Sequence, residues 1–154
     1  MPEAVSVHRD NISEHADTYP DEIRGRLQSA MTIAAVDYVQ AQRARRWFVS
    51  KMNDAMQGVD VLFTPTVPGR TPTIAGAETP PGSNVAPQGA ELANFTGVFN
   101  TTGQPSLSVP CGFTSDGLPI GLMITGRHFD EVTVLRAGDA YEQLAGWHTR
   151  RPNL

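Results

Sequence analysis

At 154 residues, with 40% hydrophobic and 18% charged side chains, the chain is long enough to build one domain around its own core. Its formal net charge of −4 argues against a nucleic-acid or membrane partner, and no apolar run approaches the ~20 residues of a membrane helix. A single cysteine, Cys111, excludes an internal disulfide framework, and the expected location is the cytoplasm.

Residues 1–17 are polar and weakly patterned and predict no helix. A helix is predicted from Pro20, a favoured first-turn residue, with Asp21 and Glu22 placed well against the helix dipole and Ile23, Leu27 and Ala30 on its apolar side. The longest helix is predicted over 32–57. Ala34, Tyr38, Ala41, Ala44, Phe48, Met52 and Ala55 recur along it at three- and four-residue steps, and Gly58 ends it. Arg43, Arg45, Arg46 and Lys51 lie off that stripe and read as a solvated face. The run Val59–Thr64 has apolar residues on both faces. It predicts a buried, central and parallel strand of an α/β sheet.

Residues 65–90 hold six prolines and four glycines, so a long functional or disordered loop is expected there. A short helix is expected over 91–100, with Leu92, Phe95 and Phe99 on one side.

A β-hairpin is the strongest local prediction. Leu107, Val109, Cys111 and Phe113 alternate with Ser106, Ser108, Pro110 and Gly112. Leu118, Ile120, Leu122 and Ile124 then alternate with Pro119, Gly121, Met123 and Thr125. Thr114-Ser115-Asp116-Gly117 supplies the turn. One face is a wall of branched and aromatic side chains. The other is small enough for a neighbouring backbone to come close, so the hairpin should be packed on both sides. A last helix is predicted from an Asp130 cap to about Ala145, carrying Val134, Tyr141 and Leu144 inward, with a frayed tail after it.

The four histidines are scattered without metal-ligand spacing, so neither a metal nor a cofactor is expected. Cys111 reads as a buried structural thiol and His128 as a surface-loop histidine.

From Tyr38 onward the chain resembles the C-terminal part of the amidase signature family, the serine amidohydrolases. The resemblance is carried by Asp60-Val61-Leu62-Phe63-Thr64-Pro65-Thr66, by Phe95-Thr96, and by Asn100-x-x-Gly103-x-Pro105. It continues through Ser108-Val109-Pro110-Cys111-Gly112, Gly117-Leu118-Pro119-Ile120-Gly121-Leu122, and Gly126-Arg127 with Phe129-x-Glu131. It implies an α/β fold, part of a mixed β-sheet flanked by helices, forming 1–154 as one segment of an amidase-like domain. It also implies cleavage of amide C–N bonds by a serine, activated by a second serine in a cis peptide and a buried lysine. That catalytic set is absent from this sequence: there is no Gly-Gly-Ser-Ser loop, and the only lysine is Lys51. Met123 stands where the family usually has glutamine.

The resemblance therefore implies roughly the last third of an amide hydrolase, with no catalytic residue of its own. The opening of the chain on what reads as mid-chain material fits that expectation. Phe95, Thr96 and Asn100 are its candidate contacts to a small-molecule amide substrate. Core packing is the alternative for Phe95, and a helix-local hydrogen bond for Thr96. Two further readings stay open: a non-catalytic module that complements a separate catalytic piece, and a structural protein of related ancestry. Isolated from a larger sheet, the chain should expose strand edges and self-associate.

Overall fold

In the computed structural model, which describes residues 1–69, 71–77 and 93–150, the chain divides into two compact units, Met1–Trp47 and Phe48–Leu154. The first unit begins with α1 (Pro2–Glu14), where the sequence predicts no helix. Proline in its first turn sets φ, and Glu3 lies at the positive end of the dipole. What the local sequence lacks is periodicity, and packing supplies the difference: Ile12 is buried along with Leu27 and Ala30 of α2 (Asp21–Ala30). Between the helices Tyr19 Oη accepts from Asn11 Nδ2 at 2.6 Å and lies 2.9 Å from His8 Nδ1. Ile23, expected inside, is exposed.

Helix α3 (Ala35–Ala55) runs from the first unit into the second. It buries none of its residues, although Tyr38, Phe48 and Met52 of the predicted stripe are half-covered. Gly58, at φ +77°, ends it in the left-handed conformation that costs other residues most.

The second unit is built on a three-stranded sheet of β1 (Val61–Pro65), β2 (Ser106–Phe113) and β3 (Pro119–Gly126), ordered β1-β3-β2. Both pairings are antiparallel. The parallel, central place expected for β1 is therefore corrected. β3 is central, and among the described residues β1 pairs on one edge only. Apolar residues on both faces of β1 suggest double burial, but here Phe63 is 52% and Leu62 36% exposed.

The hairpin forms as predicted, with one register shift. Pairing runs Ser106↔Thr125, Ser108↔Met123 and Pro110↔Gly121, then skips Cys111 and resumes at Gly112↔Ile120. Cys111 is thus the extra residue of a bulge. It is half-buried, not the fully buried thiol expected from unbroken alternation. At the turn, Gly117 takes φ +85°, its N–H bonds Thr114 O at 2.9 Å, and Thr114 N–H bonds Leu118 O at 2.8 Å.

Helix α6 (Glu131–Ala145) lies on the face that carries Leu107, Val109 and Ile124. Asp130 caps it, its carboxylate accepting from Thr133 N at 3.3 Å. Val134 points inward and Tyr141 is half-buried, but Leu144 is 89% exposed; Gly138, buried against Leu107, takes the contact instead. The segment after α6 is not frayed as far as Arg150. A 3-10 turn at Trp147–Thr149 sets Trp147 edge-on to Phe113 at 5.8 Å, with the Arg150 guanidinium over both rings. Residues 151–154 lie outside the described residues, as do 70 and 78–90 of the proline-rich stretch and 91–92, the expected start of the short helix with its Leu92. The described part of that stretch includes a single helical turn, α4 (Ile74–Ala77).

Candidate functional site

The face of the sheet away from α6 is the small one. Residues opposed in register share a face, so Thr64, Met123 and Ser108 stand together, as do Thr125 and Ser106. Gly121 carries no side chain here for a steric reason. A Cβ at that position would lie 2.7 Å from Thr66 Oγ1 and 3.0 Å from Ser108 Oγ, two hydroxyls that bond each other at 2.6 Å. Ser106 Oγ and Thr125 Oγ1 form a second such pair at 2.8 Å.

Over this face lies α5 (Ala93–Thr102), and between them is a cleft of about 390 Å³, within the range of small-molecule sites. Thr96, Phe99 and Asn100 line it from the helix; Ser106, Ser108 and Met123 line it from the sheet. Of the three residues singled out from sequence, Thr96 and Asn100 meet in this cleft, and Phe95 is half-buried and not among its lining residues. Gln104, Thr66, Ser106 and Ser108 belong to the cleft as well. The sequence held a signal for Ser106 and Ser108 in the serine and glycine positions of the hairpin's small face, and Thr66 closes the Asp60–Thr66 motif. Gln104 stands at an unspecified position of the Asn100-x-x-Gly103-x-Pro105 motif and had no signal.

Among the described residues the cleft has no ionised wall. Its lining consists of Thr, Phe, Asn, Gln, Ser, Leu and Met side chains. It offers hydroxyl and carboxamide hydrogen bonds over an apolar floor, where Met123 is 3% exposed. The one lysine lies elsewhere. Lys51 is exposed on α3, 3.5 Å from Asp54 of the next turn, and so lacks the burial of an activating amine. Among the described residues no group of three or more His, Cys, Asp or Glu is placed to hold a metal ion.

A second cavity, of about 480 Å³, lies beside Met56, Gln57, Gly58, Arg127 and His128. Its cation is already engaged, since Arg127 Nε donates to Val59 O at 3.0 Å and Nη2 to Asp60 at 3.1 Å. This arrangement ties the end of β3 to the approach of β1. His128 is exposed, as the sequence implies, and packs edge-on to Phe129 at 4.2 Å.

Set beside known proteins, the chain matches the family model described as Amidase over residues 6–135. It is 38% identical to an amidase of Pseudomonas putida, an alignment covering 100% of this chain and 33% of that protein. It is 44% identical to a glutamyl-tRNA(Gln) amidotransferase subunit of Chloroflexus aggregans, across 76% of this chain and 23% of that one. Among solved structures it is similar to a crystal structure of amidase, with a TM-score of 0.81 at 26% identity, covering 94% of this chain and 33% of that chain. It is also similar to 6-aminohexanoate cyclic dimer hydrolase, with a TM-score of 0.74 at 29% identity, covering 82% and 28%. The chain thus spans a third or less of the relatives it matches.

Proposed function

Because this chain belongs to the amidase family, we propose that it is the C-terminal portion of an enzyme that cleaves amide C–N bonds, supplying a substrate-side wall while another part supplies the reacting serine. The observation that carries this reading is the pairing of a family match over 6–135 with a Lys51 that is exposed and paired with Asp54. A serine relay needs a lysine held neutral by burial, and Lys51 is not buried. Thr96 and Asn100 are the contacts proposed from α5, with Phe95 supporting the helix behind them. The 1–154 stretch is taken as one segment of an amidase-like domain. A cytoplasmic setting accompanies this reading, supported by the single cysteine.

The test is turnover of propionamide, benzamide and acetanilide by the purified chain, alone and mixed with the protein encoded immediately upstream. We expect no hydrolysis by the chain alone; hydrolysis only on mixing favours the second reading below. Turnover by the chain alone, or stoichiometric labelling of one of its serines by a serine-directed probe, refutes the proposal.

A second reading, a module that complements a separate catalytic chain or pairs with its own copy, is favoured by one observation. Among the described residues the outer edge of β1 is unpaired beside exposed Leu62 and Phe63. Such an edge invites another strand.

A further inference from the structure

Among the described residues Phe129 is the one residue other than glycine with a positive φ, at +62°. It sits third in a turn closed by Asp130 N–H on Arg127 O at 3.0 Å, where a positive φ calls for glycine or asparagine. A large side chain is strained in that conformation, because its Cβ crowds its own backbone. Burial of the ring would offset the strain, yet Phe129 is 82% exposed. The ring meets His128 edge-on, and His128 is itself exposed.

The local sequence offers the ring a place inside. Asp130 is the N-cap of α6, so Phe129 and Val134 hold the two positions whose apolar side chains commonly close over a helix start. Here they part. Val134 is buried against Gly126 of β3, while Phe129 stays outside. Val132 and Leu135 follow at steps of three, 67% and 60% exposed, on a side of α6 other than the one that carries the buried Val134 and Gly138. Glu131 and Arg136 rim this short apolar stripe.

Two observations say what covers it. The stripe lies within the 6–135 span that matches the Amidase model, and Phe129 belongs to the Gly126-Arg127 and Phe129-x-Glu131 group that carries the family resemblance. A feature shared with the family points to a surface covered inside the family's domain rather than to a contact peculiar to this chain. The relatives also carry about twice as much chain again outside the matched part, since that part is 33% of the Pseudomonas putida amidase.

We propose that Phe129, Val132 and Leu135 form a docking surface for the remainder of an amidase-type domain, with Phe129 as its anchor. The occupant is a polypeptide surface with an apolar socket that receives the ring. The positive φ holds the ring out for that socket, so the chain alone carries strain that the assembled domain offsets. This deepens the reading of the chain as one portion of an amidase-family enzyme and rests on it for the identity of the occupant.

The experiment compares Phe129→Gly in two settings by thermal unfolding. One is the full 154-residue chain alone, and the other is a chimera in which residues 1–154 replace the matching third of the Pseudomonas putida amidase. In the chain alone we expect the midpoint to rise by about 3 °C or more, because glycine takes the positive φ without strain. In the chimera we expect it to fall by about as much, because the socket loses its ring. Val132→Ser, at an exposed and unstrained site, should leave the chain alone unchanged and lower the chimera.

Shifts of the same sign in both settings overturn the proposal, as does a chimera whose 154 residues unfold separately at the midpoint of the chain alone. A dimer of the chain alone, seen by sedimentation equilibrium and lost in Phe129→Gly, overturns it too, since the occupant is then a second copy. If the chimera is insoluble, the two pieces are co-expressed as separate chains. Co-purification that Phe129→Gly abolishes then supports the proposal, and no co-purification with the wild-type chain overturns it. Turnover of propionamide and benzamide by the chimera tests the functional reading separately. A chimera stabilised by Phe129 but without turnover removes that reading and leaves the docking surface standing; turnover in a chimera indifferent to Phe129 does the reverse.

Discussion

Gly126→Ala isolates the contact that holds α6 to the sheet. Gly126 is the last residue of β3 and its φ lies outside the left-handed region, so its backbone accepts alanine without strain. What the site lacks is room. A Cβ would lie 2.5 Å from Val134 Cγ2 and 3.2 Å from the Asp130 carbonyl oxygen. Neither neighbour yields easily. Val134 is buried and β-branched, with one strongly preferred χ1 in a helix. The Asp130 oxygen is backbone at the start of the same helix. Relief therefore requires lifting the first turn of α6 from the sheet. Overpacking of this kind costs about 1–3 kcal/mol, and we expect about 2 kcal/mol here. Glycine to alanine in an unhindered site would instead stabilise by about 0.4–1 kcal/mol, so the sign separates the two cases. Val134→Ala alone should cost about 1.5–2 kcal/mol for the two lost methyl groups. Combined with Gly126→Ala it makes space for the new methyl, and the pair should fall short of additivity by about 1 kcal/mol or more. Urea unfolding followed by far-UV circular dichroism and tryptophan fluorescence measures all three. A Gly126→Ala protein as stable as wild type, or a strictly additive double variant, refutes the packing described.

Asp130→Ala removes the cap on Thr133 N and should destabilise the second unit by about 1 kcal/mol in the same unfolding assay, with Asp130→Asn recovering most of it. Arg127→Lys loses the guanidinium fork to Val59 O and Asp60; because Arg127 is about half exposed, the expected loss is at most about 1 kcal/mol, checked by thermal unfolding at low and high salt. In the first unit the Glu3 carboxyl is held below its ordinary pKa, first by its own backbone amide and then by the Tyr38 hydroxyl, whose own pKa is raised in turn. A carboxyl depressed in the folded state contributes above its unfolded pKa and loses that contribution as pH falls through the folded value. Tyr38→Phe should therefore raise the Glu3 value part of the way back, read by NMR titration. A complete return would assign the whole shift to the phenol and refute the ordering.

The elements that local chemistry dictates were legible before any coordinates. The Thr114–Gly117 turn between two alternating runs, the Asp130 cap and Gly58 after α3 are decided by the conformations and hydrogen bonds of a few neighbouring residues, and each stands where the sequence places it, while Pro20 caps α2 rather than opening its first turn. The lack of a Gly-Gly-Ser-Ser loop is likewise a matter of which residues the sequence holds. Other features required the tertiary structure, because they depend on partners distant in the chain. α1 forms on weak periodicity because Ile12 finds cover with α2. Cys111 is only half-buried because the register slips between Pro110 and Gly112. Among the described residues β1 lies at an edge, antiparallel, because β3 takes the place between it and β2. The cleft belongs to this second class. Thr66 and Ser108 are 42 positions apart, and only folding brings their hydroxyls to 2.6 Å. Period and capping are local quantities that a sequence carries openly, whereas burial and hydrogen-bond matching are sums over neighbours that exist only once the chain has closed on itself.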